Sequence, residues 1–310
     1  MNELSGVLRN TWVLALARLL ERTNTFILAF LISRMLGPAG LGIYSAALAY
    51  HGMISIAAEL GTGNFLVREI ARNPNLAGRY TTHVVYMTGC ISIIMIAIAA
   101  PAIPLLGYGI DLQHAIALII LATLPATMNS IQEAVFVAYQ RVHFQTYTTL
   151  ATILAYSSLS IYLLTHNYGV ISLIISFVVV KYLMTVVAYL FARRLIRFEW
   201  RIDFSFARRL IGELKSFSLS SLLAAMCARP ELIILSLVET EAVVGYYSAA
   251  IKLVDFWYLL PQTFMANVFP LLSRSYAAAN DSRSSTLQDR SIQCLAALSL
   301  PIAVGITFAA

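Results

Sequence analysis

Apolar residues in this chain come in blocks of about twenty, separated by short polar connectors. Wound as an α-helix, a block of that length spans a hydrocarbon core about 30 Å thick. A membrane barrel needs segments of only about ten residues with alternating polarity. Runs such as 91–100 and 171–180 are continuous instead. The chain is 59% hydrophobic and 12% charged, against about 25% charged in soluble domains, so the polar surface of a soluble protein cannot be built. The expected fold is all-α, a polytopic membrane protein. About nine spans are expected, near 11–35, 41–62, 82–106, 112–138, 146–166, 169–191, 216–238, 242–266 and 288–310. The first block is too long and too charged for a cleavable signal peptide, and would itself direct insertion.

The net charge of +6 is explained by topology, with no need of nucleic acid. Fifteen Lys and Arg fall in the N-terminal segment and the even-numbered connectors, from Arg9 through Arg68, Arg72, Arg79 and Arg141 to Arg274, Arg283 and Arg290. The opposite side has Arg34 and little else. Such asymmetry over short loops orients the basic side toward the cytoplasm, which places the N-terminus there. The sixth connector, 193–215, mixes seven of these cations with Phe198, Trp200, Phe204, Phe206 and Leu210. That mixture suits a segment lying at the lipid interface; a solvated linker with orienting charge is the plain alternative.

No catalytic, metal or cofactor motif is expected. Cys90, Cys227 and Cys294 are far apart within apolar blocks, with neither metal-ligand spacing nor a disulfide framework. The five histidines are scattered, and no G-x-x-x-x-G-K-[ST] occurs.

The strongest organisational signal is an internal repeat. Gly42-Ile43-Tyr44-Ser45-Ala46-Ala47 and Gly245-Tyr246-Tyr247-Ser248-Ala249-Ala250 agree at five of six positions, at an offset of 203. The offset also pairs Asn64 with Asn267 and Arg79 with Ser282. Both copies open a span, six spans apart, and an even separation gives them one orientation. This predicts a parallel pseudo-repeat about an axis along the membrane normal. The expected organisation is a six-helix lobe over 1–192, a basic interfacial connector over 193–215, and an incomplete three-helix lobe over 216–310.

Leu36-Gly37-Pro38-Ala39-Gly40-Leu41-Gly42-Ile43-Tyr44, following a first span with cations, resembles the opening of the polysaccharide-biosynthesis oligosaccharide flippases. These belong to the MATE-like multidrug, oligosaccharidyl-lipid and polysaccharide exporter superfamily. The stretch from Glu231 through Gly245-Tyr246-Tyr247-Ser248-Ala249-Ala250 to Leu253 is similar to that family's seventh and eighth spans. Members usually carry twelve or more spans in two lobes, so the second lobe is expected to be truncated. The resemblance implies movement of a polyprenyl-diphosphate-linked oligosaccharide between leaflets of the inner (plasma) membrane. Its partners would be that substrate, membrane lipid and other polysaccharide-assembly membrane proteins, with no cofactor.

Charges within spans are costly and mark cavities or partners. Arg18 and Arg22 share a helix face, with Glu21 beside them. They are expected either to hold a phosphate bidentately or to be neutralised by Glu21 and snorkel to the interface. The resemblance extends to lipid II flippases, in which cations on the first span line the central cavity. Arg229-Pro230-Glu231 predicts a kinked seventh span, with Arg229 and Glu231 facing separate partners. Lys252 and Asp255 are spaced to pair locally. Lys181 has no acid at helical spacing and needs a cross-helix partner or the cavity. The candidate substrate-binding cations are therefore Arg18, Arg22, Arg229, Lys181 and Lys252. Glu21, Glu231 and Asp255 are candidate coupling or pairing acids. Glu133, Glu59 and His51 are ambiguous. The alternatives to a flippase are a cation-coupled drug exporter, which needs acids to dominate one cavity, and a membrane-bound glycan-assembly enzyme.

Overall fold

The computed structural model describes residues 2–196, 198–199, 203–255, 257, 288–289, 291–297, 299–300, 304–305 and 307, with side chains from residue 19 onward. The chain divides into two compact units, 1–249 and 250–310. The first is helical throughout its regular elements: α1 (Asn2–Glu59), α2 (Thr62–Arg72), α3 (Ala77–Ala102), α4 (Ile110–Ile119), α5 (Thr123–Ala138), α6 (Val142–Thr165), α7 (Val170–Leu195), α8 (Phe204–Met226) and α9 (Pro230–Val238). Among the described residues, five stretches are long and apolar enough to cross a membrane, or six if the bent pair α8–α9 is one span. The predicted spans one to seven coincide with these helices. Residues 241–249 are helical, as are 250–255 of the second unit; the eighth and ninth predicted spans lie partly outside the described residues.

α1 holds two predicted spans and is interrupted at Gly37 (φ 73°, ψ −179°), followed by Pro38. Asn24 accepts a hydrogen bond from Ser157 Oγ at 2.5 Å, and Tyr44 Oη lies 2.8 Å from Tyr156 Oη. In a straight helix Asn24 and Tyr44 would be about 30 Å apart. Meeting adjacent residues of α6 requires the chain to fold back at Gly37, where the positive φ suits glycine.

The α4–α5 stretch was expected as one helix and contains a 3₁₀ turn at Ile120–Ala122. Pro125 has no N–H for the carbonyl of Leu121, four residues earlier. Tyr182 Oη of α7 donates to that carbonyl at 3.1 Å, and Thr185 Oγ1 donates to Pro125 O at 3.1 Å. A carbonyl that lipid could not satisfy is thus satisfied by protein.

Two apolar clusters mark the two ends of the bundle. One joins Leu41, Ile103, Leu112, Leu164, Leu173, Leu232 and Val244. The other joins Phe65, Val84, Val135, Ile196, Leu210 and Leu214, so the second, fourth and sixth connectors, which carry the cations, converge at one basic end. Large apolar side chains cover the outside, Ile98 at 64% exposure among them, as suits a surface solvated by lipid.

At the basic end Asp203 latches the sixth connector to α3. Its Oδ2 accepts from Arg79 Nη2 at 2.5 Å. Its Oδ1 caps α8, accepting from the backbone N–H groups of Ser205 and Phe206 at 2.9 and 3.2 Å and from Ser205 Oγ at 2.7 Å. The Asp203 N–H donates to His83 Nε2 at 3.0 Å, so His83 Nδ1 carries the proton and donates to Arg79 O at 2.8 Å. The Arg79 guanidinium lies 4.5 Å from the centroid of the Phe206 ring.

The Ser205 hydroxyl, the Phe206 amide and the Arg79 guanidinium hold the Asp203 carboxyl well below the usual carboxylate range. A depressed folded pKa stabilises above the unfolded value of about 3.9 and loses that contribution as pH falls toward the folded value. The melting-temperature gap between wild type and Asp203→Asn in detergent is therefore expected to be constant from pH 7 to about pH 5. It should narrow below about pH 4; a gap that widens on acidification would refute the latch.

Candidate functional site

Polar side chains gather inside the first unit where α1, α5, α6 and α7 meet. Along the second half of α1, His51, Ser55 and Glu59 follow at i, i+4 and i+8, which places them on one face. Ser55 Oγ is 3.2 Å from His51 Nδ1. From α5, Ser130 Oγ donates to Glu59 Oε1 at 2.5 Å. Glu133 accepts from Asn129 Nδ2 and from Gln145 Nε2 of α6, both at 2.9 Å. Lys181 of α7 is half-buried, 5.5 Å from the centroid of the Phe177 ring. Glu21 and Glu133, from the first and fourth predicted spans, act on Lys181 electrostatically, without an ion pair to either among the described residues. Each interhelical hydrogen bond here contributes about 1 kcal/mol.

Other candidates are placed differently. Arg22 is exposed, and the side chain of Arg18 lies outside the described residues. Arg229 is not in a kinked helix. It has left-handed backbone geometry (φ 56°, ψ 40°) in the break between α8 and α9, and Pro230 starts α9. A proline at a helix start has no donor to forfeit, so the bend of 43° is a break between helices. The expectation of separate partners for Arg229 and Glu231 is corrected: Nη1 and Oε1 are 3.6 Å apart. The i,i+2 argument assumed helix at Arg229, and left-handed geometry removes that constraint. Lys252 and Asp255 are half-buried in the second unit, and neither is without a partner.

Opposite the basic end, the two copies of the repeated motif meet. A Cβ on Gly42 would overlap the carbonyl oxygen of Glu241, and a Cβ on Gly245 would overlap that of Pro38. Under the offset of 203, Pro38 corresponds to Glu241 and Gly42 to Gly245. The contact is therefore reciprocal, the signature of a two-fold relation. Small residues let membrane helices approach this closely. Ser45 and Ser248, also equivalent under the offset, follow one turn on. Both are buried, and neither hydroxyl has a hydrogen-bond partner among the described residues.

Beside this crossing a cavity of about 200 Å³ is lined by Gly42, Tyr108, Ser236, Glu239, Glu241 and neighbouring residues. A hydrogen-bond chain runs along it. Ser236 Oγ donates to Ile233 O at 2.7 Å. Ser236 must therefore accept from Tyr108 Oη at 2.9 Å, and Tyr108 in turn accepts from Tyr50 Oη at 2.6 Å. The chain ties α1 and the loop before α4 to α9.

The residue-by-residue reading left Glu59, His51 and Glu133 ambiguous and did not assign the Tyr50–Tyr108–Ser236 chain. The four-residue spacing of His51, Ser55 and Glu59, and of Asn129 and Glu133, was an available signal.

This arrangement of bent and broken membrane helices around an internal polar cluster has known counterparts. The chain superposes on an inward-facing multidrug-resistance MATE transporter of the MOP superfamily with a TM-score of 0.71, at 14% identity, covering 91% of this chain and 68% of that one. It superposes on a MATE protein in complex with MaD3S with a TM-score of 0.68, at 15% identity over 98% of this chain and 72% of that one. For a MOP superfamily transporter from Pyrococcus furiosus, described as having a binding pocket of reversed polarity, the TM-score is 0.62, at 11% identity over 88% and 72%. At these identities the shared property is the fold. No curated protein matches the sequence. The family model described as polysaccharide biosynthesis protein matches residues 31–310, and the chain belongs to that family.

Gly42→Val and Gly245→Val should each destabilise the protein by about 2 kcal/mol, through overpacking against backbone. Because the two sites share one contact, the double variant should cost less than the sum. Thermal unfolding in detergent measures all three; strict additivity would show that the glycines do not act on one crossing.

Proposed function

We propose that the protein moves a polyprenyl-diphosphate-linked oligosaccharide across the plasma membrane by alternating access, with its N-terminus cytoplasmic. Membership of a polysaccharide biosynthesis family over residues 31–310 carries this reading, and a transporter fold rather than an enzyme-like site supports it. The proposed lobes are 1–192 and 216–310, joined by the basic connector 193–215. The reciprocal crossing of Gly42 and Gly245 is where equivalent spans of the two lobes would meet and part. Other polysaccharide-assembly membrane proteins are proposed partners.

The proposed ligands of the diphosphate are Arg18, Arg22 and Arg229, with Lys181 and Lys252 as further cations of the pathway. Arg229 adds an argument of its own. It sits at the N-terminus of α9, where unpaired backbone N–H groups and the helix dipole also favour an anion. Glu21, Glu231 and Asp255 would balance these charges while the pathway is empty. A polyprenyl tail can stay in lipid throughout.

One observation favours a second reading, the cation-coupled drug exporter. Glu59 and Glu133 accept hydrogen bonds from the adjacent α5 residues Ser130 and Asn129, which brings two carboxylates into one polar cluster. Carboxylates held together within a bundle can exchange a proton for a cationic cargo.

Replacement of Arg18, Arg22 and Arg229 by Ala, singly, in cells that depend on this protein should lower surface polysaccharide by about tenfold or more, the loss of one charge-assisted hydrogen bond. Arg→Lys should retain part of the function. Normal polysaccharide in all three Ala variants would overturn the site. Unchanged polysaccharide together with drug sensitivity in Glu133→Gln would favour the exporter.

A further inference from the structure

The start of α8 presents a face that the transport reading does not use. Phe204, Arg208, Ile211 and Lys215 succeed one another by steps of four, three and four residues, so they form one stripe along the helix. All four are exposed, Phe204 at 82% and Ile211 at 55%. An adjoining flank of the helix is committed: Leu210 and Leu214 are buried in the cluster shared with α2 and α3. Asp203 anchors the helix through Arg79, so the stripe cannot turn inward. The acids of this segment lie off the stripe. Asp203 is held in the latch, and Glu213 falls about 160° from Lys215 around the helix axis.

The same stripe continues as Leu219, Leu222 and Met226, with Met226 at 72% exposure. That apolar continuation suits lipid. Helix α8 (23 residues) is about 35 Å long and α9 (9 residues) adds about 14 Å across the bend of 43°. The excess over a hydrocarbon core of about 30 Å leaves the first turns of α8 in the headgroup layer at the basic end. Phenylalanine and isoleucine exposed there favour the acyl boundary, while arginine and lysine between them extend along apolar surface and carry their charge to the headgroups. A protein partner would have to displace lipid from a stripe that is already continuous with the lipid-facing surface.

We propose that Phe204, Arg208, Ile211 and Lys215 form a docking surface for anionic phospholipid headgroups of the leaflet at the basic end. The stripe binds bilayer lipid, not the transported molecule, and the proposal stands whatever that molecule is.

The test uses the full chain reconstituted in phosphatidylcholine bilayers with spin-labelled phosphatidylglycerol or spin-labelled phosphatidylcholine as probe. Wild type should restrict the anionic probe several-fold more strongly than the zwitterionic one, and the preference should fall with salt. Arg208→Gln with Lys215→Gln should reduce it, by roughly fivefold for each cation at low ionic strength. Arg208→Lys should keep it, because charge and not fork geometry is read. Arg141→Gln, an exposed cation of another connector, should leave most of it. Size-exclusion profiles and melting temperatures verify that each variant is folded. No anionic preference in wild type, or one that survives the double substitution in a folded protein, overturns the proposal. Equal losses in the double variant and in Arg141→Gln would also overturn it, since the preference would then be a property of the whole basic end.

Discussion

Every backbone N–H and C=O that this chain carries into the hydrocarbon must find its partner inside the protein. That requirement makes the chain helical, and it also decides where the helices can break. Each interruption is covered or re-satisfied. Gly37 turns α1 back onto α6. Gly61 packs against Phe217 of α8, too close for a side chain. The carbonyl left open by Pro125 takes the Tyr182 hydroxyl. The break before Pro230 adjoins the Arg229–Glu231 pair. These breaks are the points at which helices change direction, and the polar clusters lie between them.

Charge is arranged at three depths. At the basic end Arg79, Asp203 and His83 lock the connector, and Arg68 and Arg72 converge on Glu69. Inside the bundle Glu59 and Glu133 accept hydrogen bonds from side chains of neighbouring helices, and Lys181 lies over the Phe177 ring. At the opposite end the helix crossing itself is made of two glycines and two serines, beside a chain of hydroxyl groups and the carboxylates of Glu239 and Glu241. A crossing built from van der Waals contact and neutral hydrogen bonds can separate at far lower cost than one built from buried ion pairs.

Much of this was legible from residue order. The helical class, the limits of most spans and the grouping of basic connectors follow from runs of apolar residues and scattered Arg and Lys. The repeated Gly-x-Tyr-Ser-Ala-Ala segment was visible as a match, although a match alone could not show that its copies touch. Spacing rules for Arg229 and Glu231 presuppose a helix, and the backbone leaves the helix after Met226 and re-enters it only at Pro230. Helix α2 went unrecognised within the second connector, since eleven residues with Arg68 and Arg72 among apolar neighbours read equally well as a charged loop.

The sequence by itself determined that this chain lives in a bilayer, because no other solvent accommodates 59% hydrophobic residues in blocks of membrane length. It also determined which connectors share a side, because charge cannot cross hydrocarbon cheaply. Only the tertiary structure decided which charges meet. Arg79 and Asp203 are 124 residues apart, Glu59 and Ser130 71 apart, and Gly42 and Gly245 203 apart. Helical periodicity relates a residue to its neighbours three and four positions away. The pairing of one helix face with another is set by packing, which no local pattern encodes.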